Sequence, residues 1–269
     1  MPETVSRARC PDAFVALAER LAAAAGEAAL GHFRKPLEVE RKADQSPVTI
    51  ADREAEAAMR ALIAEAYPDH GVIGEELGPE RAGANYVWVL DPIDGTKRFI
   101  SGHVQFGTLV ALLSGGAPVL GLIDMPAMGE RWIGAAGRPT THRDRDGTRE
   151  VRVRPCAELA EAVLFSTTPH MFPGADFAAF ERVRTRVKQP MYGGECYAYG
   201  LLASGFVDLV IEATMGTYDF LPLVRVVTEA GGVITDWWGR PLGLESDGRV
   251  IAAGDPRCHA TALERLNAG

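Results

Sequence analysis

The spacing of apolar residues in the first seventy positions predicts two helices joined by an extended piece at residues 37–39. Between residues 14 and 30, apolar side chains recur every three or four positions, which is the period of an amphipathic helix. A second helix is predicted to begin at Thr49 and to close at Pro68. The predicted buried stripes are Phe14, Leu17, Leu21 and Ala25 in the first helix and Met59, Leu62, Ile63 and Ala66 in the second.

Short apolar runs follow, and they predict strands. The runs at residues 72–73 and 86–90 are followed, at once or after one glycine, by acidic residues. We therefore expect carboxylates at the ends of these two strands. Residues 107–113, 119–125 and 131–135 predict an antiparallel meander with tight turns.

The pattern changes again near residue 150, after a charged stretch at 137–147 that we expect to be an exposed loop. We predict an N-terminal α+β half at 1–150 and a C-terminal α/β half at 151–269. Strands and helices alternate in the second half, as in layered α/β proteins. The predicted strands are 162–166, 207–211, 232–236 and 250–253, and the predicted helices include 196–204 and 220–230.

Composition and charge exclude several classes of function. The chain has 269 residues, of which 47% are apolar, and a net charge of −8 without a long block of Lys or Arg. We therefore expect a large core and no nucleic-acid partner. Charged residues flank the apolar stretch at 22–25 too closely for a membrane span, so no membrane partner is expected. The four cysteines are scattered without zinc-binding spacing, which favours reduced thiols and a cytoplasmic location.

The most informative segment is the acidic turn that follows the predicted strand at 86–90. It reads Asp91-Pro92-Ile93-Asp94-Gly95-Thr96. A turn of this kind offers two carboxylates and a backbone carbonyl, and Mg²⁺ prefers oxygen ligands of both kinds. The alternative is an ordinary β-turn, because Pro, Asp and Gly are common turn residues.

Three further acidic elements occur along the chain, and each has a simpler alternative. The pair at 75–76 follows a strand, but surface acids are common. Asp52 ends the run 44–52 and comes three residues after Thr49, so it is placed to complete a helix capping box. Asp219 stands directly before a predicted helix, where acids are also common.

Taken in this order, the four elements resemble the inositol monophosphatase superfamily, and the resemblance spans nearly the whole chain. Three motifs carry it, namely Gly74-Glu75-Glu76, Asp91-Pro92-Ile93-Asp94-Gly95-Thr96, and Asp219 followed by Glu229-Ala230-Gly231-Gly232. The resemblance implies an α/β fold with the layered αβαβα sandwich shared with fructose-1,6-bisphosphatase. It also implies Mg²⁺-dependent hydrolysis of a small phosphate monoester, and a homodimer.

The resemblance implies two metal-binding sets. One Mg²⁺ would be bound by Glu75, Asp91 and the carbonyl of Ile93. The other would be bound by Asp91, Asp94 and Asp219, so that Asp91 bridges the two ions.

The catalytic groups implied by the resemblance are Asp52, Glu75 and Thr96. Thr96, paired with Asp52, would help Glu75 and a metal ion to activate the attacking water. The backbone N–H groups of Gly95 and Thr96 would face the phosphate. Hydrolysis would then be direct, without a covalent intermediate.

Several segments resemble the histidinol-phosphatase branch of the superfamily, namely residues 97–102, 193–197 and 218–220. Glu195 and Glu212 match positions near the leaving group. Histidinol phosphate carries an ammonium and an imidazole, which two nearby carboxylates would attract. The expected substrate-binding residues are Asp94, Gly95, Thr96, Glu195, Glu212 and Asp219.

Other functions stay open at this point. Glu195 could instead complement the N-terminus of the next helix. Glu212 could bind sugar hydroxyls, as in inositol phosphatases, so the substrate could be inositol 1-phosphate or another small phosphate ester. A metal-dependent phosphate-binding regulatory protein is the non-enzymatic alternative, and the complete acidic set argues against it.

Overall fold

The structure is a computed structural model that describes residues 9–36, 38–41 and 47–268. Two sequence-based predictions lie partly outside the described residues: Leu37 of the extended piece, and residues 44–46 of the run that precedes Asp52.

The two predicted N-terminal helices are present, as α1 at Asp12–His32 and α2 at Ile50–Ala66. The buried stripe of α2 follows every fourth residue, and its apolar members are Ala51, Ala55, Met59 and Ile63. Ala66 lies off this line at the last position of the helix and is exposed. The prediction that Ala66 is buried was therefore wrong.

The strands of the N-terminal half form one large sheet. They are β3 Gly71–Gly74, β4 Gly78–Glu80, β5 Tyr86–Asp94, β6 Gly107–Ser114, β7 Ala117–Met125, β8 Glu130–Ala135, β9 Arg138–Asp144 and β10 Gly147–Glu150; a separate short hairpin comprises β1 Val39–Arg41 and β2 Pro47–Thr49. Among the described residues the strand order is β10-β9-β8-β7-β6-β5-β3-β4. The pair β3–β5 is parallel and the others are antiparallel, so the predicted meander is confirmed.

The described residues also contain a second sheet and five further α-helices, of which the first lies between β5 and β6. The strands are β11 Val163–Ser166, β12 Gln189–Tyr192, β13 Leu209–Glu212, β14 Val233–Thr235 and β15 Val250–Ala253, in the order β12-β11-β13-β15-β14 within the described residues. The helices are α3 Thr96–Ile100, α4 Ala175–Arg184, α5 Glu195–Ala203, α6 Thr217–Glu229 and α7 Pro256–Leu266.

Successive side chains of a strand point to opposite faces of its sheet, so each of the two sheets packs against helices on both faces. Together the helices and sheets form five layers. On β5, Trp88 packs with α1 and α2, whereas Val89 packs with α5 and α6. On β13, Val210 joins the same central core as α5 and α6, whereas Ile211 packs with α4 and α7. The αβαβα sandwich expected from the sequence is thus confirmed.

The stretch at 137–147 is not an exposed loop, and that prediction was wrong. It contains β9 and the turn to β10, which extend the first sheet to its edge. Thr140 and His142 are buried on alternate positions of β9, and His142 stacks on Trp132 with ring centroids 4.2 Å apart. Charged residues at both ends of β9, Arg138 at its start and Arg143 and Asp144 at its end, hid this alternation in the sequence.

The division of the chain at residue 150 stays a prediction. The first sheet ends with β10 at Glu150, and the second sheet begins with β11 at Val163. Helices α5 and α6, from the second half, lie between the sheets and share a hydrophobic core with both.

The close contact of α6 with the first sheet generates a stability prediction. A Cβ added at Gly121 would overlap the backbone carbonyl of Pro222 in α6. Gly121→Ala should therefore lower the free energy of unfolding by roughly 1–3 kcal/mol, measured in urea, because backbone atoms cannot move aside cheaply. Gly83→Ala is the matched control, since nothing lies within 4 Å of its Cβ position. Equal stability of the two variants would contradict this packing.

Candidate active site

Asp91 and Asp94 lie where β5 departs from regular pairing. The strand continues to Asp94, so the prediction that it ends at residue 90 and is followed by a turn was wrong. Asp91 pairs with Leu109 of β6, but the next paired residue is Asp94, opposite Gly107, so the register shifts between the two aspartates. The N–H of Ile93 donates to Asp91 Oδ1 at 3.0 Å. Irregularities of this kind change the direction of side chains at the end of a strand.

Asp219 adds a third carboxylate from the central helical layer. It lies in the first turn of α6 and accepts a hydrogen bond from the N–H of Gly216 at 2.6 Å. Asp94 accepts one from the N–H of Cys196, in the first turn of α5, at 2.8 Å. One carboxylate oxygen each from Asp91, Asp94 and Asp219 lie within 4.8 Å of one another. Backbone donors from two helices therefore help to hold the cluster together.

Burial and mutual repulsion make this cluster unfavourable without a counter-charge. Burial, followed by the charges of Glu75, Asp94 and Asp219, raises the pKa of Asp91 well above its ordinary value. Burial and the charges of Asp94 and Glu75 likewise raise the pKa of Asp219. A cation would remove this repulsion, and a donor set made only of oxygens suits a hard divalent ion. The cluster can therefore hold a metal ion.

The turn after β5 positions Thr96. Gly95 has a φ of +81°, in the left-handed region where a Cβ is disfavoured, which explains the glycine. Thr96 begins α3, and its hydroxyl donates to the carbonyl of Ile93 at 3.2 Å. A carbonyl oxygen has two lone pairs, so this bond leaves Ile93 able to bind a metal as well.

Asp52 lies buried in the first turn of α2 and completes a capping box. Its Oδ2 accepts hydrogen bonds from the N–H of Thr49 at 2.8 Å and from the hydroxyl of Thr49 at 2.7 Å. The capping role foreseen for this pair is confirmed. The pairing of Asp52 with Thr96 stays a prediction.

A cavity of about 290 Å³ opens beside the carboxylates. The predicted site residues that line it are Glu75, Asp94, Gly95, Thr96, Glu195, Glu212 and Asp219. Asp52, Asp91 and Ile93 are buried and are not part of its lining. Further lining residues, which the sequence analysis did not single out, include Thr167, Met171, Tyr199, Thr214 and Met215.

Glu195 occupies a strained position at the start of α5. Its φ of +44° is uncommon for a residue with a Cβ. Its Oε1 accepts a hydrogen bond from Arg98 Nε at 3.0 Å, and its Oε2 is buried without a hydrogen-bond partner among the described residues. Burial raises the pKa of this carboxyl more than Arg98 lowers it. Backbone strain and an unsatisfied buried oxygen together are typical of a functional position.

Glu212, at the end of β13, is buried and fully hydrogen-bonded. Its Oε1 accepts from the N–H and the hydroxyl of Thr167 at 2.9 and 2.5 Å, and its Oε2 accepts from the hydroxyl of Tyr199 at 3.0 Å. Burial raises the pKa of Glu212 to about 7. Burial thus favours the protonated form of this carboxyl more than in an exposed glutamate.

The partners of the two glutamates were missed from the sequence. Arg98 lies 97 positions before Glu195, and no local pattern links them. Thr167 reaches Glu212 only because β11 and β13 are neighbours in the second sheet. Tyr199 gave a weak signal, since it comes four residues after Glu195 and so lies one helical turn away.

Comparison with known proteins finds similarity over nearly the whole chain. The model of the inositol monophosphatase family matches residues 11–268. The chain is 50% identical over 264 residues to the bifunctional phosphatase IMPL2, chloroplastic, of Arabidopsis thaliana, covering 95% of this chain and 75% of that protein. It is 34% identical over 238 residues to a histidinol-phosphatase of Chlorobaculum parvum, covering 88% and 90% of the two chains.

A solved structure supports the same relationship. An inositol monophosphatase from Zymomonas mobilis superposes with a TM-score of 0.86 at 43% identity, covering 95% of this chain and 98% of that one.

The raised pKa of Glu212 generates a prediction about stability against pH. The folded-state value of about 7 exceeds the ordinary value of 4.5, so the folded protein binds the proton more tightly between these pH values. The stabilisation from this proton is complete below the ordinary pKa of 4.5. It is lost as the pH rises through the folded-state pKa of about 7. Glu212→Gln cannot titrate. The unfolding free energy of the wild type relative to this variant should therefore fall by roughly 1 kcal/mol per pH unit within this window.

Urea unfolding in EDTA across this pH window measures the difference. Parallel profiles for the two proteins would contradict the raised pKa, because they would mean that Glu212 binds its proton equally well in the folded and unfolded chains.

Proposed function

Because this chain belongs to the inositol monophosphatase family, and is a phosphatase of that family, we propose that it is a Mg²⁺-dependent phosphomonoesterase whose substrate is histidinol phosphate. This activity would place it in histidine biosynthesis. Family membership favours an enzyme over a regulatory phosphate-binding protein.

The acidic cluster supports the choice of Mg²⁺. Glu75, Asp91 and the Ile93 carbonyl would hold one ion, and Asp91, Asp94 and Asp219 would hold the other. All these ligands are oxygens, and the raised pKa values of Asp91 and Asp219 report charges that need a cation. When bound, Mg²⁺ lowers the pKa of a coordinated water and neutralises phosphate charge.

The protein's own groups would orient the reactants. The hydroxyl of Thr96 is already held in place at the Ile93 carbonyl, where it can align a water molecule. Glu75, with Asp52 as a further acceptor, would take the proton of that water. The N–H groups of Gly95 and Thr96 would hold the phosphate beside them.

The preference for a cationic leaving group rests on one observation, the buried Oε2 of Glu195. Arg98 satisfies only one oxygen of this carboxylate. Glu195 lines the cavity, so an ammonium or imidazolium group there would supply an opposite charge in a partly dehydrated site and, once the side chain turns toward it, a donor for Oε2. Histidinol phosphate carries both groups. The similarity to a named histidinol-phosphatase supports the same choice.

Inositol 1-phosphate is the second candidate, and Glu212 favours it. This carboxyl is held by Thr167 and Tyr199 in the cavity wall, where it can exchange a hydrogen bond with a sugar hydroxyl without needing a cationic partner. The similarity to an inositol monophosphatase of known structure also supports it.

The assembly and location of the protein stay predictions. A homodimer and a cytoplasmic location follow from the resemblance and the composition, whereas the Arabidopsis relative is named chloroplastic. Within the described ranges, no helix is both long and apolar enough to cross a bilayer.

The proposed function predicts a selective effect of Glu195→Gln. The kcat/KM for histidinol phosphate, assayed with Mg²⁺, should fall roughly tenfold or more, because loss of a buried charge pair of about 1.4 kcal/mol or above corresponds to that factor. The kcat/KM for inositol 1-phosphate should stay level or rise, since a negative charge near the ester is removed.

Two controls complete this assay. Glu181→Gln also removes a carboxylate from an arginine pair, but on α4, and should change neither activity. Asp91→Asn should abolish Mg²⁺-dependent turnover of both substrates. Equal losses on both substrates for Glu195→Gln, or a wild type that prefers inositol 1-phosphate, would refute histidinol phosphate as the substrate.

A further inference from the structure

Glu56 is a fully buried acid on α2 that faces the turn between β3 and β4. Its Oε2 accepts a hydrogen bond from the N–H of Glu76 at 2.7 Å, and its Oε1 accepts from the N–H of Leu77 at 3.2 Å. Oε1 also accepts from Arg60 Nε at 2.8 Å. The exposed fraction of Glu56 is 0%. A buried carboxylate therefore receives two backbone donors from the residues that directly follow Glu75.

Gly74, the residue before Glu75, lies in direct contact with the carboxylate of Glu56. A Cβ added at Gly74 would overlap the carboxylate of Glu56, so only glycine leaves room for it. The backbone on both sides of Glu75 is thus packed against or hydrogen-bonded to Glu56. The N–H of Glu75 itself donates to the carbonyl of Leu90 on β5 at 3.2 Å.

Arg60 contacts the C-terminal end of the same turn, where β4 begins. Its guanidinium donates to the carbonyl of Gly78, the first residue of β4, and lies 3.7 Å from the carboxylate of Glu80. Glu56 and Arg60 are one helical turn apart, so together they attach the whole turn to one face of α2.

Asp52 lies one turn before Glu56 on the same helix. Helix α2 therefore carries one candidate catalytic carboxylate directly and holds the turn that presents another, Glu75. A shift of the turn along α2 would change the distance between these two groups.

We propose that Glu56 is a positioning residue. It fixes the metal ligand Glu75 relative to the catalytic group Asp52 and relative to the metal ligands Asp91, Asp94 and Asp219. The proposal rests on the role given to Glu75 under the proposed function. Glu56 touches neither substrate nor metal in this scheme and acts through the backbone of Glu76 and Leu77. Residues that orient metal ligands from behind commonly matter nearly as much as the ligands.

The charge of Glu56 explains why an acid occupies a fully buried position. Burying a carboxylate is costly, and replacing a buried ion pair by apolar residues is often neutral for stability. A charged acceptor, however, binds N–H donors about twice as strongly as a neutral one. We therefore assign Glu56 a role in fixing the geometry of the turn and not mainly in stabilising the fold.

Two variants test the positioning role. Glu56→Gln keeps the shape but removes the charge, and Gly74→Ala displaces the carboxylate without changing it. In the metal-free proteins, hydrogen exchange of the Glu76 and Leu77 amides should become faster, because their acceptor is weakened or displaced. The Kd for Mn²⁺, measured by calorimetry or electron paramagnetic resonance, should rise roughly 10-fold to 100-fold.

Asp208→Asn is the matched control. Asp208 is a buried carboxylate that accepts from Arg154 and from the N–H of Val163, in the second sheet and outside the cavity lining. Its loss should lower the melting temperature but leave the Mn²⁺ Kd within about twofold, since no metal ligand moves.

The outcomes separate this inference from the function on which it rests. Unchanged Mn²⁺ affinity in folded Glu56→Gln and Gly74→Ala would overturn the positioning role while leaving the metal site intact. An equal loss of affinity in Asp208→Asn would also overturn it, because general destabilisation would then suffice. A wild type that binds no Mn²⁺ would refute the metal site itself, and the positioning role with it.

Discussion

The central constraint on this structure is the close approach of three carboxylates, those of Asp91, Asp94 and Asp219. At the irregular end of β5, Asp91 and Asp94 approach Asp219 within a few ångströms, and burial with their mutual repulsion raises the pKa of Asp91 well above its ordinary value. A folded protein tolerates such a cluster when a cation neutralises it or when protons do. The phosphatase chemistry of the family needs the cation, because an acidic protein would otherwise repel a phosphate ester.

The layered fold explains how distant residues form one cluster. Asp91 and Asp94 come from the first sheet, Asp219 comes from the central helical layer, and Glu75 comes from a turn attached to the outer helix α2. The three aspartates accept hydrogen bonds from backbone donors: Ile93 for Asp91, Cys196 for Asp94 and Gly216 for Asp219. These donors hold the carboxylates in an arrangement that could bind a cation. Such preorganisation lowers the reorganisation that catalysis would otherwise require.

The sequence predicted what depends on local pattern and missed what depends on tertiary contact. The meander after β5 is local and is present as predicted, whereas the strand before it continues to Asp94, so residues 91–94 are its irregular end and not a turn beyond it. The strand β9 was mistaken for a loop because charged residues lie at both of its ends and only Thr140 and His142 between them are buried. Glu56 gave no signal, since an acid in the middle of a helix usually faces solvent. The partner of Glu195, Arg98, also could not be foreseen, because side chains distant in sequence meet only in the folded chain.

Anomalous diffraction from a crystal of the metal-free protein soaked in Mn²⁺ would test the central claim most directly. If the acidic cluster exists to hold divalent cations, the anomalous peaks should lie within bonding distance of the carboxylate oxygens of Asp91, Asp94 and Asp219, about 2.0–2.6 Å away. Full-occupancy peaks elsewhere with none in the cluster would contradict the claim. The buried carboxylates would then be neutralised by protons, and the site would need another explanation.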